Sequence, residues 1–386
     1  MKIEGPERYQ TRLLIIHNRI MHYRLPIFLE ISRITPTRIL LTKDGEEEIP
    51  IAGLDVVNLR SEIGASRQIF VLIRLFRELM KDQYQVVIGG NWDDMIQLAS
   101  SLIAVTLAKI RNNRFVLWTE SWNYDRKLIS GKRKLADPII RYLVKCSDSF
   151  IVPGIKSKEL LLHLNAPEMR IVIAPNWSSP CILSEPEPPE SKMRLERGDD
   201  IRFIFLARID PIKGLDILLR AFAMVEKSFP NARLIVGGDG PDRLRMIGLS
   251  NMLGIRNVEF RGWIALDKRE SVLAESDILV LPSRYLNGLS EAWGLVLNEA
   301  MASGKPIIST LAAGGAYDLI IEGETGFVVE PENVESLREA MERFCKEPEI
   351  IARMGEKAKQ MIKRDFSLEK MVSGILSAVD IAARRE

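Results

Sequence analysis

Short runs of valine, isoleucine and leucine recur along this chain, each followed by a stretch with helical spacing, and this alternation restricts the fold more than any other feature. The series opens with RLLIIHN (12–18). It continues through RILLTKD, a helix over Gln68–Met80, QVVIGGN, an apolar helix over Asp93–Ile110, RFVLWTES, a helix through Pro138 to Lys145, and SFIVPG. Strands buried on both faces read as unbroken apolar runs, and strands alternating with helices build a parallel sheet with crossover connections. After MRIVIAPNWSS comes a segment with Pro180, Pro186, Pro188 and Pro189 among glutamates, the composition of a linker or exposed crossing segment. A second series follows: IRFIFLARID, the helix GLDILLRAFAMVEKSF, ARLIVGGDGP, VEFRGW, DILVLPS, a glutamate-bearing helix, KPIIST and TGFVVEP. The predicted fold is therefore α/β, with two doubly wound Rossmann-like parallel-sheet domains, 1–185 and 186–366. A helical stretch, 367–386, is able to pack back on the first domain.

Length and composition agree with two domains. The 386 residues exceed the roughly 250–300 at which a single core stops growing. With 46% hydrophobic and 27% charged residues the chain is neither disordered nor a disulfide scaffold. A net charge of +2 provides no global field for nucleic acid, so no nucleic-acid partner is expected. Cys146, Cys181 and Cys345 form no CxxC pair, which fits a reducing cytosol. The start MKIEGPERYQ has no apolar signal-peptide core, and no run is long enough to span a bilayer.

Open parallel sheets bind ligands outside the carboxyl ends of their strands, so the residues of interest there are His17, Glu120, Arg208, Gly238, Ser283 and Glu291. Arg208 ends one strand and Lys213 follows just before a helix. Two cations beside free helix N–H groups suit a diphosphate, or else are solvated loop charges. In VGGDGP, Gly237, Gly238 and Gly240 around Asp239 allow close backbone approach, or form a plain tight turn. This is not GxGxxG, which is missing from the first strand of either half and disfavours a nicotinamide oxidoreductase.

The stretch SEAWGLVLNEAMASG (290–304) keeps two carboxylates in an otherwise apolar run. Gly294 marks the helix start, and Gly304 with Pro306 its end, so Glu291 precedes the helix and Glu299 lies inside it. Eight residues at 1.5 Å rise separate the two by roughly 12 Å, which rules out a shared-proton dyad. Separated carboxylates suit a long, hydroxyl-rich ligand such as a nucleotide sugar; alternatively Glu299, beside Asn298, forms a solvent-facing polar stripe.

LARIDPIKGLDILLRAF, VGGDGP and PSRYLNGLSEAWGLVLNEAMASGKPII together resemble the retaining glycosyltransferases of family 4, glycosyl transferases group 1, whose Glu-x7-Glu spacing matches Glu291 to Glu299. YRLPIF, SDSFIVPG and MRIVIAPNW extend the resemblance into the first half. It implies a GT-B fold, with two sheets facing an interdomain cleft, and transfer of a sugar from a nucleoside-diphosphate sugar to a glycan or lipid-linked acceptor. It further implies that Arg208 and Lys213 hold the donor diphosphate, Glu299 binds the ribose and Glu291 lies by the donor sugar. Backbone N–H groups at Gly294 and Leu295 would face the phosphates, with Gly238, Asp239 and Ser283 lining the donor site. No cofactor is implied beyond the donor substrate. The chain has no DxD triplet, so no metal is expected.

The family often carries a histidine at a first-domain strand end where this chain has Glu120, which either orients a substrate hydroxyl or salt-bridges a neighbouring loop. His17, Asn18, Arg19, His22, Tyr23 and Arg24 resemble the family's acceptor-facing loop, although structural roles for the two histidines are equally open. Trp92, Trp118 and Trp122 either stack on a sugar or simply pack. DRKLISGKRKLADPIIRYLVK (125–145) carries seven basic residues against two aspartates, which fits either peripheral contact with an anionic membrane or a solvated amphipathic helix. A nucleotide-sugar epimerase and a non-catalytic nucleotide-sugar binding module are the alternative readings.

Overall fold

The computed structural model describes residues 11–43, 53–60, 68–81, 84–90, 92, 94–122, 131–178 and 200–384, with backbone alone at 68 and 131–136. The chain divides into two compact units, residues 1–175 with 368–386, and residues 176–367. The proline-rich segment and the expected boundary at 185/186 lie outside the described residues.

The first unit is built on strands β1 (Leu13–His17), β2 (Thr37–Leu41), β3 (Asp55–Asn58), β4 (Val86–Gly89), β5 (Arg114–Trp118), β6 (Ser149–Val152) and β7 (Ile171–Ile173). They pair in the order β3-β2-β1-β4-β5-β6-β7, every pair parallel. The order reverses between β1 and β4, so helices before and after that point fall on opposite faces. Helices Gln68–Lys81, Met95–Ile110 and Gly131–Cys146 follow the reversal and pack successively against one another. Val71, Leu75, Leu98, Val105, Ile140 and Leu143 seal that face against Leu14, Val87, Phe115 and Phe150. The opposite face carries the helix Leu25–Ile34 and the last helix, Leu368–Ala383. The last helix contacts β5, β6 and β7, and Ser149 Oγ donates to the Ala378 carbonyl at 2.6 Å. The C-terminal helix thus belongs to the first unit.

The second unit holds β8 (Ile201–Leu206), β9 (Ala232–Gly237), β10 (Val258–Gly262), β11 (Ile278–Leu281), β12 (Ile307–Thr310) and β13 (Gly326–Val329), in the parallel order β10-β9-β8-β11-β12-β13. Alternation along β8 splits its side chains between two layers. Ile201, Phe203 and Phe205 meet Leu218 and Phe222, whereas Ile204 and Leu206 meet Leu297 and Met301. The reversal here lies between β8 and β11.

Candidate functional site

In the second unit the reversal brings together the chain ends after β8 and β11. Ala207 N–H donates to the Gly237 carbonyl at 3.1 Å, and Ile209 N–H to the Asp239 carbonyl at 2.8 Å, locking the turns after β8 and β9 to each other. Gly238 has φ +141°, and a Cβ there would stand 1.9 Å from the Ala207 carbonyl oxygen, so this approach requires glycine. The Asp239 carboxylate accepts from the Gly240 N–H at 2.7 Å. Asp210 caps the short turn Pro211–Lys213 through the Ile212 N–H at 3.2 Å, and the helix Leu215–Ser228 follows. Arg284 N–H donates to the Ile212 carbonyl at 2.9 Å and its guanidinium pairs with Asp216, fastening that turn to the end of β11.

Lys213, in that turn, forms an ion pair with Glu291. Glu291 is held by its backbone: its N–H donates to the Ala312 carbonyl at 3.0 Å, and its carbonyl accepts from the Gly314 N–H at 3.0 Å. Gly294, at φ +90°, opens the helix Leu295–Ala302, whose start no side chain caps. Arg208 projects with 71% of its side chain exposed, its Nε 3.8 Å from Asp210. Ser283 is fully buried beside this pair of strand ends, and its Oγ finds no hydrogen-bond partner among the described residues.

Glu299 is not the solvent-facing residue that a polar stripe requires. Its side chain is 12% exposed, accepting from Arg269 Nη1 at 3.2 and 3.3 Å and from Ser178 Oγ at 3.1 Å. Burial pushes its pKa above the usual carboxylate value, opposed by the charge and hydrogen bond of Arg269 and the hydrogen bond of Ser178. Asn298 is buried too, accepting from Trp293 Nε1 at 2.8 Å and donating to the Asn176 carbonyl at 2.9 Å. Its polarity serves this internal network. Arg269, Ser178, Asn176 and Arg284 were not singled out from sequence, because they reach their partners across 30 to 122 positions with no local pattern to mark them.

In the first unit a cavity of about 330 Å³ opens at the carboxyl ends of β1, β4 and β5, lined in part by His17, Asn18, Arg19, Tyr23, Arg24, Trp118 and Glu120. The loop residues and Glu120, 96 positions apart from Arg24, are thereby gathered at one place. Arg24 donates from Nη2 to Glu120 Oε1 and lies over the Trp118 ring at 5.1 Å, so the salt-bridge reading of Glu120 is realised beside the cavity. His22 packs edge-on against Tyr23 at 5.2 Å and is absent from the cavity lining. Trp92 packs against the core. No group of three or more potential metal ligands occurs among the described residues. A larger groove, about 880 Å³, runs along the amino-terminal ends of β8 and β9 and edge strand β10. It lies at the wrong end of the sheet for a ligand site, and Arg202, Arg233 and Arg261 there are paired with Asp200, Glu259 and Glu275.

His17 Nδ1 lies 2.9 Å from the Arg19 carbonyl oxygen, which only accepts, so Nδ1 carries the proton and Nε2 the lone pair. Burial and the Arg24 charge lower its pKa from 6.5 to about 3, against the opposing Arg19 hydrogen bond. Below pH 6.5 the unfolded histidine takes up a proton that the folded one refuses until about pH 3. Stability therefore falls as pH falls through that window, by up to ~1.4 kcal/mol per pH unit. Urea unfolding at a series of pH values should show this slope, and His17→Gln should reduce it; an unchanged slope in the variant would assign the effect to other groups.

Two doubly wound parallel sheets with these strand orders define the class: the fold is GT-B. HepE from Anabaena, solved with UDP and glucose, superposes with a TM-score of 0.75 over 96% of this chain and 100% of its own, at 17% identity. Residues 187–361 match the family described as glycosyl transferases group 1, and that stretch is a domain of this group. Among curated relatives, alpha-D-kanosaminyltransferase of Streptomyces kanamyceticus is 29% identical over 188 residues, 48% of this chain and 47% of the relative. D-inositol 3-phosphate glycosyltransferase of Rhodococcus jostii is 32% identical over 242 residues, 59% of this chain and 51% of the relative. The chain thus spans about half the length of the curated relatives it matches.

Proposed function

We propose that this chain is a retaining glycosyltransferase that moves a sugar from a nucleoside-diphosphate sugar to a hydroxyl of a surface-glycan or lipid-linked acceptor, without a divalent metal. The observation that carries this reading is the Lys213–Glu291 ion pair at the carboxyl end of the second sheet, beside the close backbone turn at Gly238. A diphosphate arriving there replaces Glu291 as the partner of Lys213. The released carboxylate is then available to accept hydrogen bonds from donor-sugar hydroxyls. As the glycosidic bond breaks, negative charge grows on the leaving phosphate, and Lys213, Arg208 and the uncapped helix start at Leu295 stabilise it without reorganising. Cations from the protein do the work that a DxD-bound metal does elsewhere, and the sequence has no DxD. Glu299, oriented by Arg269 and Ser178, accepts from the ribose hydroxyls.

The family match over the second unit supports the donor half of this reading, as does the UDP held by a protein of the same fold. In the first unit, Glu120 and His17 Nε2 offer acceptor atoms at the cavity for the incoming hydroxyl. The acceptor and a place at the cytoplasmic face of a membrane are part of the same proposal. No described helix is long and apolar enough to cross a membrane.

Calorimetric titration with UDP, GDP and ADP in the presence of EDTA tests the donor half. One nucleoside diphosphate should bind, and both Glu299→Ala and Lys213→Ala should weaken it. Absence of binding, or indifference to both substitutions, would remove the second-unit assignment.

A further inference from the structure

Arg24 stands where a cation is unfavourable on two counts. It directly precedes the helix Leu25–Ile34, at the positive end of the helix dipole, and it is only 4% exposed. Its backbone is fixed on both sides, the N–H donating to the Met21 carbonyl at 2.8 Å and the carbonyl accepting from the Phe28 N–H at 3.1 Å. The guanidinium is fixed as well, lying over the rings of Tyr23 and Trp118 at 5.5 and 5.1 Å from their centroids. Nη2 donates to Glu120 Oε1, while Nε and Nη1 are buried with no hydrogen-bond partner among the described residues. With Nε and Nη1 closed off, a molecule in the cavity meets Arg24 at Nη2 at most.

What Arg24 acts on is the pair of hydrogen-bond acceptors in the cavity. Glu120 is held at both ends: its carbonyl accepts from Ser157 Oγ at 3.3 Å, Arg24 takes Oε1, and Oε2 has no donor among the described residues. His17 packs its ring against Phe28 and Trp118, and the Arg24 charge is the second cause, after burial, that keeps it from taking a proton. Asn18 Oδ1 accepts from the Arg19 N–H at 2.7 Å, which leaves its amide nitrogen as a donor. The other charged groups at this end of the sheet are Arg19 and the Lys43–Asp94 pair, 2.6 Å apart, on the segments after β1, β2 and β4.

We infer that Arg24 is a positioning residue rather than a substrate contact: it aims Glu120 and keeps His17 a hydrogen-bond acceptor, so that the cavity takes an uncharged sugar and turns away an anionic one. This deepens the acceptor half of the proposed function and rests on it. A sugar hydroxyl both donates and accepts, so neighbouring hydroxyls are matched by Glu120 Oε2, His17 Nε2 and the Asn18 amide. A carboxylate or phosphate meets two lone-pair-bearing groups there, and the buried cation beside them is already held by Glu120.

Two measurements on the full chain test the inference without donor or turnover. The first is an NMR titration of the histidine rings, of which the chain has three, with the His17 signal assigned by its loss in His17→Gln. Native His17 should stay neutral from neutral pH down to about pH 5. In Arg24→Met, which removes the cation and frees Glu120 beside the ring, its protonation should enter that range, whereas Arg24→Lys should keep it out. The second is saturation-transfer NMR binding of methyl glycosides of glucose, galactose and mannose, set against the matching uronic acids and sugar phosphates. At least one glycoside should bind, its anionic counterparts about tenfold more weakly or less, and Glu120→Gln, which keeps the shape of the side chain, should weaken the glycoside by about tenfold. Should Arg24→Met fail to fold, Arg24→Lys and Glu120→Gln still decide the second measurement. Three results overturn the inference: no neutral glycoside binds, an anionic sugar binds as well or better through Arg19 or Arg24, or His17 titrates alike in the native chain and Arg24→Met. A chain that meets every expectation yet transfers no sugar refutes the transferase reading alone, and turnover with an anionic acceptor removes this inference alone.

Discussion

Lys213→Ala is expected to lower turnover by about 10²–10³-fold at saturating donor, the loss typical when a preorganised group facing developing negative charge is removed. Lys213 sits at a position that three features secure: the Asp210-capped turn, the Arg284 tether to β11, and the Glu291 carboxylate. The substitution takes from Glu291, 14% exposed, the lysine it pairs with, and removing one partner of a mostly buried ion pair destabilises. Urea unfolding of Lys213→Ala gives its folded fraction under assay conditions, and steady-state rates corrected for that fraction separate the two effects. If turnover falls only in proportion to the folded fraction, Lys213 serves the fold alone. Arg208, mostly exposed and only loosely paired, is expected to contribute less.

Nucleotide affinity should fall as pH is lowered, beginning at a higher pH than for an ordinary glutamate. Burial raises the Glu299 pKa, so protonation of the carboxyl on the acid side comes early, and a protonated carboxyl accepts hydroxyl hydrogen bonds poorly. Arg269 opposes that rise, so Arg269→Leu should move the acid limb to still higher pH. Glu299→Ala should weaken binding roughly 10–100-fold at neutral pH, the range for a lost charge-assisted hydrogen bond, and flatten the acid limb. Calorimetry with the bound nucleoside diphosphate across a pH series tests both statements. An acid limb that stays in place in Arg269→Leu would show that another group titrates there.

Both parallel sheets were legible because every central strand is buried on both faces. Runs such as LLI, VVI and ILVL are short, rich in β-branched residues and bounded by polar or turn residues, which marks them as strands rather than buried helix. The start and end of the Glu299 helix were legible for a similarly local reason, since Gly294 and Gly304 both adopt positive φ, +90° and +69°. The edge strand β3, Asp55–Asn58, was passed over because two apolar residues between two polar ones carry almost no period. The helices Val334–Lys346 and Glu349–Asp365 were passed over as well. Their apolar stripes, Leu337, Ala340, Met341 and Phe344 in the first and Ile350, Ile351, Met354 and Ala358 in the second, are present but diluted by charge.

The surroundings of the candidate residues were a different matter. Sequence alone determined which residues stand at strand ends, since that follows from short-range apolar patterning and turn chemistry. It left Glu299 open between ligand contact and solvent-facing charge, and Glu120 between substrate contact and salt bridge. Tertiary structure decided that Glu299 is buried and held by Arg269 and Ser178, that Glu120 pairs with Arg24, and that Glu291 pairs with Lys213. Each of these depends on segments 30 to 121 positions apart being brought to the same end of a sheet. Hydrophobic period is set by neighbours along the chain, whereas the partner of a charge is set by strand order, and strand order exists only once the sheet has formed.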